Sequence, residues 1–248
     1  MFSINSSPYL NDRKECTITN REQLSKLKDI KEPIETLIIS FTLGDLYDED
    51  IYNIMLYLKT TKNNTKNLWF VNSELTNEQA KSIIDALTEI DTLKSIEGLS
   101  FCSNDLQGDV CFLRNLKKLN GLVWLNLSEN NLSMGIDDII EIICNCPLLQ
   151  ELHLSASGID DVALEKLCLS IEEHPSLTRI SIDHNKLITD NSVKYIKELI
   201  EQNNRLKHVN LLGTKISDSN IYGLQAISTD VEIFFGKSSA SRCQLLMA

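Results

Sequence analysis

Apolar residues recur along the chain in one spacing. Its most complete copy consists of Leu122, Leu125, Leu127, Asn130 and Leu132. Four further clean copies begin at Ile96, Leu149, Leu177 and Leu206. Weaker copies begin at Ile34 and at Thr65, where threonine replaces the first apolar residue, and a truncated copy begins at Ser228. The starts lie 22 to 31 residues apart, so the pattern predicts a repeat architecture of seven to eight units.

Each copy changes its hydrophobic period partway through. Leu152 and Leu154 flank His153 in the two-residue alternation of a short strand. After the asparagine position, apolar residues follow the spacing of one helical face. They are Ile51, Ile54, Met55 and Leu58 in one repeat, Ile136, Ile139, Ile140 and Ile143 in another, and Leu164, Leu167, Cys168 and Ile171 in a third. Every repeat is therefore predicted to be a strand, a turn and a helix.

Signals for helix ends agree with this division. Thr76 and Gln79 have the spacing of a capping box, in which each side chain bonds the other's backbone N–H. Asp160, Thr189 and Ser217 are predicted to cap later helices. Pro33, Pro147 and Pro175 each stand just before a strand, where proline ends the preceding helix.

One helix lying on one short strand cannot cover its own core, so neighbouring repeats must stack. The predicted fold is an α/β solenoid shaped as a horseshoe, with a concave parallel sheet and convex helices, because helices are wider than strands. Polar residues at the turn position are expected to bond backbone groups that would otherwise be buried unpaired. They are Asn104, Asn130 and Asn185, with Thr42, Ser73, Ser157 and Thr214 as shorter substitutes.

The chain is divided into three parts by this pattern. Residues 1–33 are predicted to form an N-terminal cap, residues 34–236 the solenoid, and residues 237–248 a flexible tail. In the cap, Cys16 and Ile18 occupy strand positions. A covering helix is expected to carry Leu24, Leu27 and Ile30.

Composition narrows the kinds of partner. The net charge of −11 disfavours nucleic acid and anionic membranes as partners, because binding them requires clustered lysine and arginine residues. It favours a basic partner. Seven cysteines without framework spacing fit a reducing compartment. The start of the sequence lacks a secretion signal, and no segment is apolar for the length of a bilayer span. The chain is expected to be a soluble, monomeric, cytoplasmic protein that uses no cofactor.

A strand and a full helix in repeats of 26 to 31 residues resemble leucine-rich-repeat proteins of the ribonuclease-inhibitor type. Phrases such as Leu187-Ile188-Thr189-Asp190 and Ile216-Ser217-Asp218 are similar to that family's turn into the helix. The resemblance implies a protein-binding module. Short, irregular arrays of this kind also occur in effectors that intracellular bacteria deliver into host cells, and the richness in isoleucine, asparagine and lysine fits such an origin, which implies the host cytosol as the location.

Residues between the buried strand positions should face the concave surface. Both tryptophans and three of the four histidines of the chain fall among them. Tryptophan and arginine carry much of the binding energy at protein interfaces, so these positions are the candidate protein-binding site. The candidates are Trp69, Trp124, Asn126, Glu129, Glu151, His153, Arg179, Asp183, His184 and His208. The same phasing places Asp230 beside His208 and Glu232 beside Asn210.

Catalysis and metal binding receive little support. Ser155, Asp183, His153 and His184 supply the residue types of a hydrolytic triad. An open sheet, however, offers neither a cleft nor an oxyanion hole. No strict ligand spacing supports a metal site at the two histidines or at the pair Cys144 and Cys146. The expectation is a protein that is not an enzyme and holds no metal.

Three hypotheses for function remain. In the first, the concave face binds a protein partner. In the second, an adaptor or structural protein binds through its convex helices, and acidic residues such as Asp137, Asp138 and Glu141 matter. In the third, the concave face blocks the active site of an enzyme partner.

Overall fold

A parallel sheet runs through the whole described part of the molecule. The computed structural model describes residues 14–30, 33–41, 46–60, 65–89, 96–228 and 230–236. Within these ranges nine strands form one sheet, and each strand pairs with the next one along the chain. The strands are β1 (Glu15–Ile18), β2 (Thr36–Ile39), β3 (Asn67–Phe70), β4 (Gly98–Ser100), β5 (Trp124–Asn126), β6 (Glu151–His153), β7 (Arg179–Ser181), β8 (His208–Asn210) and β9 (Glu232–Phe234).

Helices follow the strands and pack on one side of this sheet. The α-helices are α1 (Arg21–Lys26), α2 (Asp48–Thr60), α3 (Asn77–Glu89), α4 (Ile136–Asn145), α5 (Asp161–Ile171), α6 (Val193–Gln202) and α7 (Asp218–Gln225). The succession of strand and α-helix predicted for each repeat fails in the repeat that begins at Ile96, where Cys111–Lys118 is a 3-10 helix. Its leucines Leu113, Leu116 and Leu119 recur every three residues and are fully buried, which is the period of a 3-10 helix and not of an α-helix.

The register of the sheet aligns the core. One column crosses all nine strands and consists of Cys16, Leu37, Leu68, Leu99, Leu125, Leu152, Ile180, Val209 and Ile233. None of these side chains is more than 5% exposed. Burial of an aliphatic side chain contributes about 1.5–3 kcal/mol, so this column and the apolar helix faces behind it supply the main driving force for stacking.

The turn asparagines hydrogen-bond buried backbone groups, as predicted, and these groups belong to neighbouring repeats. The Asn130 side chain donates to the Phe101 carbonyl of the preceding repeat at 2.8 Å and accepts from the Leu106 N–H at 3.1 Å. Asn104 and Asn185 bond their neighbours in the same way. Among the shorter substitutes, Ser73 and Ser157 reach the preceding repeat. For Thr214, the bond is to the Leu211 carbonyl of its own repeat, at 2.8 Å.

The ends of the described chain continue the same architecture. Cys16 and Ile18 lie on β1, and Leu24, Leu27 and Ile30 are buried in the common core. At the weak repeat, the Thr65 hydroxyl donates to the Ile34 carbonyl at 2.9 Å, which satisfies the polar group at the first core position. Thr42, residues 1–13 and the predicted tail 237–248 lie outside the described residues.

Helix capping is confirmed in part. Thr76 and Gln79 form the reciprocal capping box, and Asp160 accepts from the Ala163 N–H at 2.8 Å. The prediction for Ser217 is wrong, because its side chain accepts no capping bond. The Ser217 hydroxyl and N–H both donate to Asp190 of the preceding repeat, at 3.1 and 2.8 Å.

Two positions differ from the predicted frame. Leu187, expected in the core, is 56% exposed, and the next residue, Ile188, is fully buried in its place. The last strand is shifted by two residues, because Glu232 pairs with His208 and Phe234 with Asn210. The truncated repeat lacks the leucines that fix the register elsewhere, so Ile233 rather than Val231 aligns with Val209.

No helix in the described ranges combines the length and apolar character of a membrane span.

Candidate binding surface on the open face of the sheet

Side chains that point away from the helices form what is here called the open face. Register arranges them in rows across the strands. The first row is Glu15, Thr36, Asn67, Gly98, Trp124, Glu151, Arg179, His208 and Glu232. The second row is Thr17, Ile38, Trp69, Ser100, Asn126, His153, Ser181, Asn210 and Phe234.

Both tryptophans lie on the open face and outside the core cluster. Trp69 is on β3 and Trp124 is on β5, yet their ring centroids are only 5.5 Å apart, at an interplanar angle of 38°. The intervening strand β4 carries Gly98 and Ser100 at the two row positions. An added Cβ at Gly98 would collide with the Asn67 side chain, so this glycine makes room for Asn67, while Ser100 is the small neighbour of Trp69. Both indoles are partly exposed.

The Trp69 indole N–H is buried and has no hydrogen-bond partner among the described residues. Buried polar groups are normally paired, and an unpaired one costs about 1–3 kcal/mol. Trp124 packs against the same ring.

His153 extends the aromatic surface toward the charged part of the face. Its ring centroid is 5.5 Å from that of Trp124, and its Nε2 is 3.3 Å from the Glu151 carboxylate. Arg179 approaches the same carboxylate oxygen at 3.4 Å. The hydrogen bond from His153 lowers the pKa of Glu151, and the positive charge of Arg179 acts in the same direction against partial burial. Glu151 is therefore ionised at neutral pH.

The sequence predicted that all candidates would be exposed to water, but two of them are buried. Asp183 is 2% exposed and Asn126 is 4% exposed. Asp183 accepts hydrogen bonds from the Ser155 hydroxyl and, at 2.9 Å, from the Asn210 side chain. The side-chain oxygen of Asn126 accepts from the Ser128 N–H at 3.0 Å. Asp183 bonds side chains of two neighbouring repeats and Asn126 bonds the backbone of its own repeat, so both are engaged within the protein.

Glu129 and His184 lie just beyond the strands in a row of left-handed backbone conformations. The φ angles of this row lie between 50° and 67°, at Asn72, Ser103, Glu129, Ala156, His184 and Gly213. Glu129 accepts from the Ser103 hydroxyl at 2.7 Å. The His184 ring lies over Gly213, where an added Cβ would come within 2.7 Å of Nδ1. His184 also has its Nε2 3.8 Å from Asp183.

His208 belongs to a separate group at the last two strands. Its Nδ1 is 3.1 Å from the Glu232 carboxylate, and its ring stacks on Phe234 with centroids 6.2 Å apart. Sequence reasoning did not place Phe234 beside His208, because the predicted register put Glu232 in its row. It placed Gly98 and Ser100 on the concave face but gave them no role.

The residues with triad chemistry are not arranged as a triad. The Ser155 hydroxyl donates directly to Asp183, whose other donor is Asn210. In a Ser-His-Asp triad the nucleophilic serine instead donates to the imidazole. Among the described residues, no group of three or more His, Cys, Asp or Glu side chains is placed to hold a metal ion.

Charge is distributed differently on the helical side. The acidic residues that would matter if the convex helices bound a partner each form an ion pair with a lysine or arginine of a neighbouring repeat. Asp138 pairs with Arg114, Glu141 with Lys117 at 2.8 Å, and Asp137 with Lys166 at 2.8 Å. These pairs link successive helices, and each offsets the charge of the acid that it binds.

Comparison with known proteins gives limited information. No protein-family model matches the chain. The mouse protein "NACHT, LRR and PYD domains-containing protein 4C" is 24% identical over 178 aligned residues, which cover 59% of this chain and 18% of the mouse protein. The chain thus spans less than a fifth of that relative's length. The LRR in this name, together with the nine-stranded parallel sheet, fits a leucine-rich-repeat-like protein and a protein-interaction module.

Proposed function

We propose that this chain is a non-enzymatic binding module that holds a protein partner on its open face. The observation that carries the proposal is the pair of partly exposed, touching tryptophans on a sheet surface. Such indoles add little to the stability of a solvated face, whereas large aromatic side chains dominate the energetics of protein interfaces. Glu129, Glu151, Arg179 and His153 then form a polar border around this aromatic centre.

Several finer features belong to the same proposal. The sheet is the concave side of a horseshoe of the ribonuclease-inhibitor type, with seven to eight repeats, and the protein acts as a cytoplasmic monomer. A delivered bacterial effector that works in the host cytosol is the origin that composition favours. A basic protein is the expected partner, and nucleic acid is not, because the open face carries several carboxylates and one arginine.

The absence of catalysis is proposed on chemical grounds. Ser155 hydrogen-bonds a carboxylate rather than an imidazole. The surface is also an open sheet, where water competes with any group that would stabilise a transition state. Inhibition of an enzyme partner by covering its active site is one way in which such a surface works.

An affinity capture with two matched double variants tests the surface. Trp124→Ala with Glu129→Gln alters the open face, and Asp137→Asn with Glu141→Gln alters the helical face. Arg179 is left unchanged because its removal would also disturb Glu151. Quantitative mass spectrometry should show a protein captured by the wild type and the helical variant but lost from the open-face variant. Loss with the helical variant alone would transfer the function to the convex side.

A further inference from the structure

Basic residues are segregated away from the open face. In the two rows of described residues, Arg179 is the one basic residue that is a lysine or an arginine, and it is already bonded to Glu151. The carboxylates of Glu129, Glu151, Asp183 and Glu232 share that face. On the helical side, lysines and arginines stand among the acids and pair with several of them. The formal charge of the described part of the open face is therefore negative, with one arginine against these carboxylates.

The two tryptophans lie at the edge of this negative region. On β1 to β5 the open face carries no lysine or arginine in the described residues. Glu151 is the direct cross-strand neighbour of Trp124 on β6, at a strand separation of roughly 4.8 Å. Glu129 lies five residues beyond Trp124 in the same repeat and accepts from the Ser103 hydroxyl. An exposed aromatic surface on a face with more carboxylates than basic residues attracts a cation.

We propose that the indole pair of Trp69 and Trp124 is the seat for an arginine side chain of a basic partner segment. This inference rests on the proposed binding function and specifies its chemistry. A cation over an indole face is attracted by the ring's negative quadrupole, and indole is the strongest such ring among side chains. The guanidinium lies on the exposed indole surface, and the negative charge of the open face, with Glu151 as the cross-strand neighbour of Trp124, favours it.

Arginine fits this seat better than lysine does. The guanidinium is planar, weakly hydrated and able to stack on an aromatic plane while its N–H groups reach carboxylates at its edge. A lysine ammonium is compact and strongly hydrated, so it gives up more water to lie on an indole. The surface is open rather than a closed cage, which leaves stacking as the main contribution.

Intrinsic fluorescence reports on this seat without a label, because the protein contains two tryptophans and both belong to it. The probes are three glycine-serine peptides of equal length that carry four arginines, four lysines or four glutamates. The arginine peptide should change the emission in a saturable way. Its apparent Kd should rise with added salt, since the carboxylates contribute by charge.

Matched variants locate the effect. Trp124→Leu should weaken the arginine peptide by about fivefold or more, with Trp69 as the remaining reporter. Glu129→Gln should weaken it by about twofold to threefold at low salt, while Glu141→Gln, the same charge change on the helical face, should leave it unchanged. Equal affinities for the arginine and lysine peptides would overturn the assignment of arginine, and an unchanged Kd in Trp124→Leu would overturn the seat itself.

Competition separates this inference from the proposed function. If a protein partner is captured through the open face, the arginine peptide should displace it and the glutamate peptide should not. A partner that is lost from the open-face double variant but is not displaced by the arginine peptide would leave the binding function in place and contradict the arginine seat.

Discussion

The open face consists of two unlike halves that meet between β5 and β6. The first half carries the touching indoles of Trp69 and Trp124 over small residues, and one indole N–H there has no partner among the described residues. In the second half, polar side chains bond one another across the strands, as Glu151 does with Arg179 and Asp183 with Asn210. The residues that look most reactive in the sequence are therefore occupied by internal bonds. The aromatic half retains the capacity to bind.

The largest effect is expected in the paired half. Asp183→Ala should lower the free energy of unfolding by about 3 kcal/mol, because it leaves buried partners without their acceptor. Ser155 and Asn210 are those partners. Glu129→Ala removes a partly exposed carboxylate with a single hydroxyl donor and should cost less than about 1 kcal/mol. Urea denaturation of both variants measures the difference, and equal losses would show that the two halves do not differ in this way.

Replacing the turn asparagines that lie beneath the two halves should lower stability less than Asp183→Ala does, and by the same amount in each half. Asn130→Ala and Asn185→Ala should each cost about 2 kcal/mol, since each side chain bonds backbone groups of two repeats. Thr214→Ala, whose hydroxyl bonds only its own repeat's carbonyl at 2.8 Å, is the matched control and should cost about 0.5–1 kcal/mol. Thermal melting tests this. Unequal losses for the two asparagines would mean that the scaffold, and not only the open face, differs between the halves.

Sequence alone predicted the scaffold because its repeat has two independent signals. The leucine spacing phases each strand, and the turn asparagine phases the exit from it. Where one signal is missing, the predicted register is wrong. At β9 no leucines remain to place Glu232 and Phe234, and the predicted register is off by two residues. At Leu187 both signals are present, yet the chain buries Ile188, because the frame cannot tell which of two adjacent aliphatic residues turns inward.

The open face was predictable as a location but not as a set of contacts. Spacing correctly placed Trp69, Trp124 and His153 opposite the core. It could not show that Asp183 and Asn126 would be buried, because their burial depends on side-chain conformations, such as those that bond Asp183 to Asn210 and Asn126 to the Ser128 N–H. The indole contact likewise spans a whole strand, β4, whose two row positions hold Gly98 and Ser100.

Unlike the histidines of the open face, His174 lies in the core, and its burial predicts that the stability of the protein depends on pH. His174 is 6% exposed, and its Nδ1 accepts from the Leu177 N–H at 3.0 Å while its Nε2 is 3.2 Å from the Cys146 carbonyl. Burial lowers the pKa of His174 from 6.5, although backbone carbonyls oppose the shift. As the pH falls below 6.5, the unfolded chain takes up this proton before the folded chain does, so stability falls with it.

The histidine effect should be smaller than that of the asparagines and should be visible as a difference between variants. His174→Gln should be less stable than the wild type at pH 7.5, with a gap that narrows toward pH 5. Urea titrations at both pH values measure it. A gap that stays constant would show that protonation of His174 does not limit stability in acid.

The smallest effect on stability is expected at the aromatic centre. Trp124→Ala removes a partly exposed indole from the Trp69 ring, 5.5 Å away between centroids. The same change should expose more of the Trp69 ring to water, and water that reaches its unpaired N–H would recover part of the lost contact energy. The free energy of unfolding should therefore fall by no more than about 1 kcal/mol. The remaining tryptophan emission should move to longer wavelength as Trp69 becomes hydrated. A loss as large as that of Asp183→Ala, with no spectral change, would place Trp124 among the structural residues and remove the distinction between the two halves.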